Sequence, residues 1–311
     1  MSNSTLKYIG KRLVISLITL FVILMVLFLM VKFLPGSPIN NEKLSASARA
    51  AIEAQYGLDQ PIPVQFVRYI QNMLTGDFGV SFNLYKDMQV SSLVGSAAKL
   101  SMIYGLCAVI IGTVIGMFLG VFAALHKNTI WDTIATVISV IGVSIPSFVF
   151  AMLILLLFAS KLRLLPTSYS SSNAIKSSIM PILALSVGVI ANVARTEMVS
   201  VLTSEYMTLA KAKGLDRKTL IFKHALRNAL IPVITILGPI LVNLMTGTMV
   251  VEKICSVPGL GKLLINSILS NDYNIILACS FLYAAMYIFM MLIIDISYGI
   301  IDPRIRLGKD D

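Results

Sequence analysis

LSMIYGLCAVIIGTVIGMFLGVFAAL, residues 100–125, decides the fold class. The run holds no Asp, Glu, Lys or Arg, and a helix needs about 20 such residues to cross a hydrocarbon core about 30 Å thick. Five further runs qualify, at 14–34, 133–160, 177–194, 228–251 and 274–301, the one at 177–194 being the shortest. Apart from Lys32 and Asp295 they too carry no Lys, Arg, Asp or Glu. Composition agrees: 57% of the residues are hydrophobic and 13% charged, with a mean hydropathy of +0.87. Soluble domains carry about 45–50% apolar and about 25% charged residues. The expectation is an all-α integral membrane protein with six transmembrane helices.

The first run follows Lys7, Lys11 and Arg12, as in a secretory leader. It is longer than the 7–15 residues of a leader's apolar core, and FLPGSP at 33–38 offers no small-x-small cleavage site, so it reads as an uncleaved anchor. Orientation follows from Lys and Arg, which favour cytoplasmic loops. With the N-terminus inside, the inner segments collect Lys7, Lys11, Arg12, Lys127, Arg195, the cluster from Lys211 to Arg227, Arg304, Arg306 and Lys309. Both termini are therefore expected in the cytoplasm of a multi-pass protein of the cytoplasmic membrane. The net charge of +10 reflects this bias. It forms no exposed patch interleaved with aromatics, so no nucleic acid is implied.

The chain divides into a tail and first transmembrane helix (1–34), an external helical segment (35–99) and a core with five transmembrane helices (100–311). In the external segment, 45–56 has helical character and is followed by Gly57. After Pro61 and Pro63, residues 64–74 set Phe66, Val67, Ile70, Met73 and Leu74 on one face, ending at Gly76. That face suits either a lid packed on the chain's own helices or a docking surface for an outside partner.

The inner segment 195–228 carries the most information. Tyr206, Leu209, Ala210 and Lys213 recur at i, i+3, i+4 and i+7. Gly214 can take the left-handed conformation that ends a helix. Asp216 can cap the next one, with Leu220, Ile221 and His224 on one face. The pattern predicts a helix–turn–helix knuckle at the inner membrane surface, a form that a loop serving only orientation does not need.

Other features read as structural. Cys107, Cys255 and Cys279 form no Cys-x-x-Cys pair, and no metal constellation surrounds His126 or His224. PGLGKL at 258–263 is not a phosphate loop: Ser256 stands where its first glycine belongs, and Leu263 replaces Ser or Thr. It reads as a turn leading into an outer helix. Asp295, near the inner end of the last run, is expected to pair with Arg304 or a basic knuckle residue rather than relay protons. Gly112, Gly116 and Gly120 recur every four residues, a spacing that favours close helix contact. Gly142 and Pro146 can bend the third run, and Pro232, Gly238 and Pro239 the fifth; pathway lining and ordinary packing both fit. The sixteen Met residues read as apolar filler.

Residues 205–235, EYMTLAKAKGLDRKTLIFKHALRNALIPVIT, resemble the cytoplasmic loop of ABC importer permeases, whose general pattern is Glu-Ala-Ala, three residues, Gly, nine residues, Ile-x-Leu-Pro. Ala210, Gly214 and Leu226 match it. Thr208, Leu209, His224 and Arg227 depart from it in the manner of the oligopeptide, dipeptide and nickel branch. LPGSP (34–38), YGLDQPIP (56–63), GDFGVSF (76–82), VSIPSF (143–148), VPGLGKLL (257–264) and DISYGIIDPRIR (295–306) also resemble that branch, in its B-type subunit, over nearly the whole chain.

The resemblance implies a permease subunit that moves oligopeptides or dipeptides, with a nickel or metal-chelate importer of the same family as the alternative. It implies as partners a second homologous permease subunit, two ATP-binding subunits, an external substrate-binding protein and membrane lipid. The loop 204–228 would be the coupling element, with Glu205, Tyr206, Leu209, Ala210, Lys213, Gly214, Leu215 and Asp216 meeting an ATPase. No catalytic, metal or cofactor residue is implied in this chain, because ATP and Mg would be bound by the partners. The resemblance does not say which residues line the pathway. An ion-coupled secondary transporter would need ionisable groups near the midplane, and a membrane enzyme a catalytic cluster at one face; the sequence has neither.

Overall fold

The computed structural model describes residues 3–33, 54, 57, 59–186 and 189–301. Among them the secondary structure is helical, apart from one isolated bridge between Val80 and Gln89. Four continuous helices are long and apolar enough to cross a membrane, and two further pairs of helices add up to six crossings if each pair is one span. The chain forms two compact units, residues 1–101 with 258–311 and residues 102–257.

The first unit is built on α1 (Asn3–Lys32) and α12 (Tyr273–Ile301), which pack along each other. α1 buries Leu24, Phe28 and Val31 and leaves Leu17, Ile18 and Met30 exposed. In lipid such an outward apolar face needs no protein partner. The external helix α2 (Ile62–Thr75) carries Pro63 in its first turn, where the missing N–H is no loss. It ends at Gly76, φ +73°, where Gly76 N–H bonds Met73 O at 3.2 Å and Asp77 N–H bonds Asn72 O at 2.9 Å. The inward face of α2 carries Phe66, Tyr69 and Met73. Phe66 and Tyr69 pack at a tilt against Phe28 with ring centroids 5.4 and 5.5 Å away, and Phe21 adds an edge contact to Phe66. Burial raises the Tyr69 phenol above its usual pKa. Val67 and Leu74, expected to share one face with Phe66 and Met73, do not share their burial and are 55% and 82% exposed. The helix expected over 45–56 lies outside the described residues, apart from position 54.

After α2 the chain turns back through GDFGVSF onto the buried carboxylate of Asp272. Asp272 Oδ2 accepts from Ser81 Oγ at 2.5 Å and from the amides of Asn83 and Leu84 at 3.0 Å each. Short helix α11 (Leu260–Leu269) precedes this turn, with Leu260 N–H donating to Ser101 Oγ at 2.8 Å. The glycine-rich stretch before it thus serves as a helix entry, with Leu260, Gly261 and Leu263 buried.

α3 (Val90–Leu125) runs from the first unit into the second. The third apolar run is not one straight span. It forms α4 (Ile130–Ser144) and α5 (Ser147–Ile154), the latter continuing as a π-helical stretch Leu155–Lys161, with an angle of 112° across the break. Pro146 is the cause: a residue before proline is driven out of helical geometry, and Ile145 is extended at φ −84°, ψ 124°. The fourth run also divides, into α6 (Ala174–Leu185) and α7 (Val189–Leu202). The fifth stays continuous through Pro232 and Pro239.

The glycine stripe of α3 faces α7. A Cβ on Gly116 would stand 2.8 Å from Ile190 Cβ, and one on Gly120 would stand 2.6 Å from both Ala191 O and Ala194 Cβ; one on Gly112 would strike the Ser186 carbonyl. The missing side chains are what let the two backbones touch. Cavities of about 460 and 280 Å³ lie beside the two breaks, lined mainly by apolar side chains that include Phe150, Ile154, Phe158 and Met180, with Ser139 and Ser186.

Candidate functional site: the inner helix–turn–helix segment

α7 ends at Leu202, and Thr203 and Ser204 turn the chain into α8 (Glu205–Ala212). Ser204 is extended, and its carbonyl accepts from the amides of Met207 and Thr208 at 3.2 Å each. α8 closes as Gly214 takes φ +80°. Gly214 N–H bonds Lys211 O at 3.0 Å and Leu215 N–H reaches Ala210 O at 3.4 Å, the paired closure that a left-handed residue permits. The helix is one residue shorter than the expected face: Lys213 lies just past its end.

Asp216 starts the return. Its Oδ2 accepts from Thr219 N–H at 3.1 Å, capping α9 (Arg217–Thr219). The bonds from the Thr219 side chain and amide hold the exposed carboxyl below the usual range. A π-helical stretch, Leu220–Ala225, then leads directly into α10 (Leu226–Ile254). No break separates the knuckle from the fifth apolar run, which was expected to begin near 228.

The segment is anchored from beneath. Met207 of α8 is fully buried, with Met198 of α7 and Ala124, Leu220, Ala225 and Ala229 around it. Asn228 Nδ2 donates to Tyr206 Oη at 3.0 Å, tying α8 to α10. Glu205, Leu209, Lys213, Leu215 and Asp216 are exposed, as is Tyr206, while Ala210 is half-buried against the anchor. The outward surface therefore combines the apolar Leu209 and Leu215 and the Tyr206 ring with Lys211, Lys213, Arg217 and Lys218.

The stem of the knuckle carries a contact that the apolar runs conceal. Arg195 of α7 donates through Nε to Asp132 Oδ1 at 2.6 Å and through Nη2 to Oδ2 at 2.8 Å. Asp132 lies in the first turn of α4, at the end of the tight loop that holds His126 and Asn128. A signal existed in the sequence: one acid and one base stand at the ends of neighbouring apolar runs, on the same predicted side. No group of three or more His, Cys, Asp or Glu able to hold a metal occurs among the described residues. Cys107, Cys255 and Cys279 are not joined in disulfides. Burial pushes Cys255, past the end of α10, up to about 11. The Asp295 side chain and its proposed partner Arg304 lie outside what is described.

Residues 116–307 match the family described as binding-protein-dependent transport system inner membrane component, and residues 5–87 match its N-terminal companion. The chain is 41% identical over 304 residues to the dipeptide transport system permease protein of Lactococcus lactis, covering 97% of this chain and 99% of that one. It is 41% identical over 305 residues to the oligopeptide transport system permease protein of Haemophilus influenzae, with the same coverage. The dipeptide permease of Bacillus subtilis shares 39% over 307 residues, again 97% of this chain and 99% of that one. Among solved structures, an amino acid ABC transporter crystallised with histidines matches with a TM-score of 0.53 at 14% identity, over 67% of this chain and 94% of the other.

Proposed function

Because the chain belongs to the family of binding-protein-dependent transport system inner membrane components, we propose that it is the permease subunit through which such an importer moves oligopeptides or dipeptides. The observation that carries this reading is identity near 40% to dipeptide and oligopeptide permeases along 97% of the chain. The chain is a membrane transport subunit and not an enzyme; ATP hydrolysis belongs to separate subunits. In the proposed assembly a second homologous permease completes the pathway, two ATP-binding subunits sit on the cytoplasmic side and an external protein delivers substrate.

In this reading α8 and its turn form the coupling element, and Glu205, Tyr206, Leu209, Ala210, Lys213, Gly214, Leu215 and Asp216 meet an ATPase. What supports it is the combination of an exposed, partly apolar, basic surface with a buried anchor. Leu209 of α8 and Leu215 just past it stand out, while Met207 fixes α8 against Met198 of α7 and Ala229 of α10. A surface built this way can receive a push without yielding locally.

The test is reconstitution of the chain with its partner subunits and binding protein in liposomes, followed by uptake of labelled di- to pentapeptides. Accumulation that requires ATP and the binding protein is the expected result. Accumulation of a nickel chelate with no peptide uptake would overturn the peptide assignment while leaving the permease assignment intact.

A further inference from the structure

We propose that Asp132 and Arg195 are a positioning pair, locking the stem of the coupling helix to the inner ends of the second and third membrane segments so that they move as one body. The proposal rests on the importer reading above. It starts from the geometry: a two-pronged contact of 2.6 and 2.8 Å, with the Asp132 side chain 7% and the Arg195 side chain 28% exposed. A planar guanidinium gripping both carboxylate oxygens fixes direction as well as distance. The carboxylate is itself held. Asp132 Oδ2 also accepts from Asn128 N–H at 3.0 Å, and Thr129 Oγ1 closes the same loop on His126 O at 2.6 Å.

The position of the pair gives it leverage. On α7, Arg195 follows Ala194, which meets Gly120 of α3; a Cβ there would stand 2.8 Å from the Arg195 amide. One turn further along α7, Met198 packs with Met207 of the coupling helix. α7 is therefore gripped on one side by the glycine stripe and on another by Asp132, close to where it meets α8. The glycine contact is smooth and non-directional, so on its own it lets two helices slide. The ion pair blocks that slide. Without it, displacement of α8 is absorbed at the top of α7 instead of reaching the broken segments deeper in the membrane.

The experiment uses the complete complex in liposomes and reads three quantities: amount of assembled complex, ATP hydrolysis with and without binding protein, and peptide uptake. Asp132→Asn and Arg195→Gln are expected to assemble normally yet lose stimulation by the binding protein about five-fold or more, a change typical of a broken coupling between sites. The double variant should be no worse than either single one, because the two groups act as a unit. Arg195→Lys, which keeps charge but loses the two-pronged grip, should fall between. Normal stimulation in the assembled single variants would overturn the proposal, as would a double variant whose loss is the sum of both. If the neutral variants do not assemble, Arg195→Lys decides: an intermediate stimulation supports the lock, a wild-type one removes it. A wild-type complex that is stimulated by binding protein but imports no peptide defeats the peptide reading alone, since stimulation still reports on the pair.

Discussion

Replacing Gly214 by valine isolates the backbone of the coupling turn. At φ +80° the residue sits where a side chain is strained, yet a Cβ built there meets nothing within 4 Å. The penalty is therefore conformational and not a clash. It is on the order of 1–2 kcal/mol, larger for a β-branched residue, or roughly a 5- to 30-fold loss of the native turn relative to its competitors. The turn is local and exposed, so the chain should still insert and assemble. What it loses is the paired closure through Leu215 N–H and Gly214 N–H, and with it a fixed angle between α8 and α9. Uptake and substrate-stimulated ATP hydrolysis by the reconstituted complex should both fall several-fold. Gly214→Asn supplies the control, because asparagine tolerates the left-handed region; it should retain most of the coupling. If valine leaves coupling intact at normal assembly, the turn is not a coupling element. If asparagine is as damaging as valine, the harm comes from the added side chain, and the argument from φ is wrong.

Two further outcomes follow from the packing and the burial. Gly120→Leu forces a side chain into the Ala191 carbonyl and Ala194; overpacking of about 1–3 kcal/mol or more should lower the melting temperature in detergent, whereas Gly10→Ala, which meets nothing within 4 Å, should not. Cys255 holds its proton up to about pH 11, above its usual value near 9. Between those values the unfolded thiol ionises while the folded one does not, so this contribution to stability is full below pH 9 and is lost as pH rises to 11; Cys255→Ser should flatten that part of a pH-stability profile.

The apolar runs, the left-handed glycine at 214, the cap at Asp216 and the glycine stripe were legible in the sequence because each depends on neighbours within a few residues. The inward face of α2 was not. Val67 and Leu74 are as apolar as Phe66 and Met73, and beside a membrane hydrophobicity does not separate a face turned to protein from one turned to lipid. The break at Pro146 was readable as a possible bend, but its 112° angle depends on the tertiary setting. Met207 passed unnoticed because one methionine on a short helix has no periodic partner, and its burial arises from Met198 on another helix. The same holds for Asp132 and Arg195, 63 positions apart, whose meeting requires α4 and α7 to lie side by side.

The π-helical stretch at Leu220–Ala225 bears on phase. Such a stretch takes up an additional residue within an otherwise regular helix. One residue corresponds to about 100° of rotation in an α-helix. Upstream of it, Asp216 and the turn are therefore presented at an azimuth that an uninterrupted helix running out of Leu226–Ile254 would not give them. The stretch works as a coupling between two shafts whose keyways do not line up. It lets the span keep the register its packing demands while the surface outside the membrane is clocked independently. A length change of one residue here would turn the knuckle about its axis, keeping the bonds within its turn but parting the Asn228–Tyr206 contact that ties it to the span.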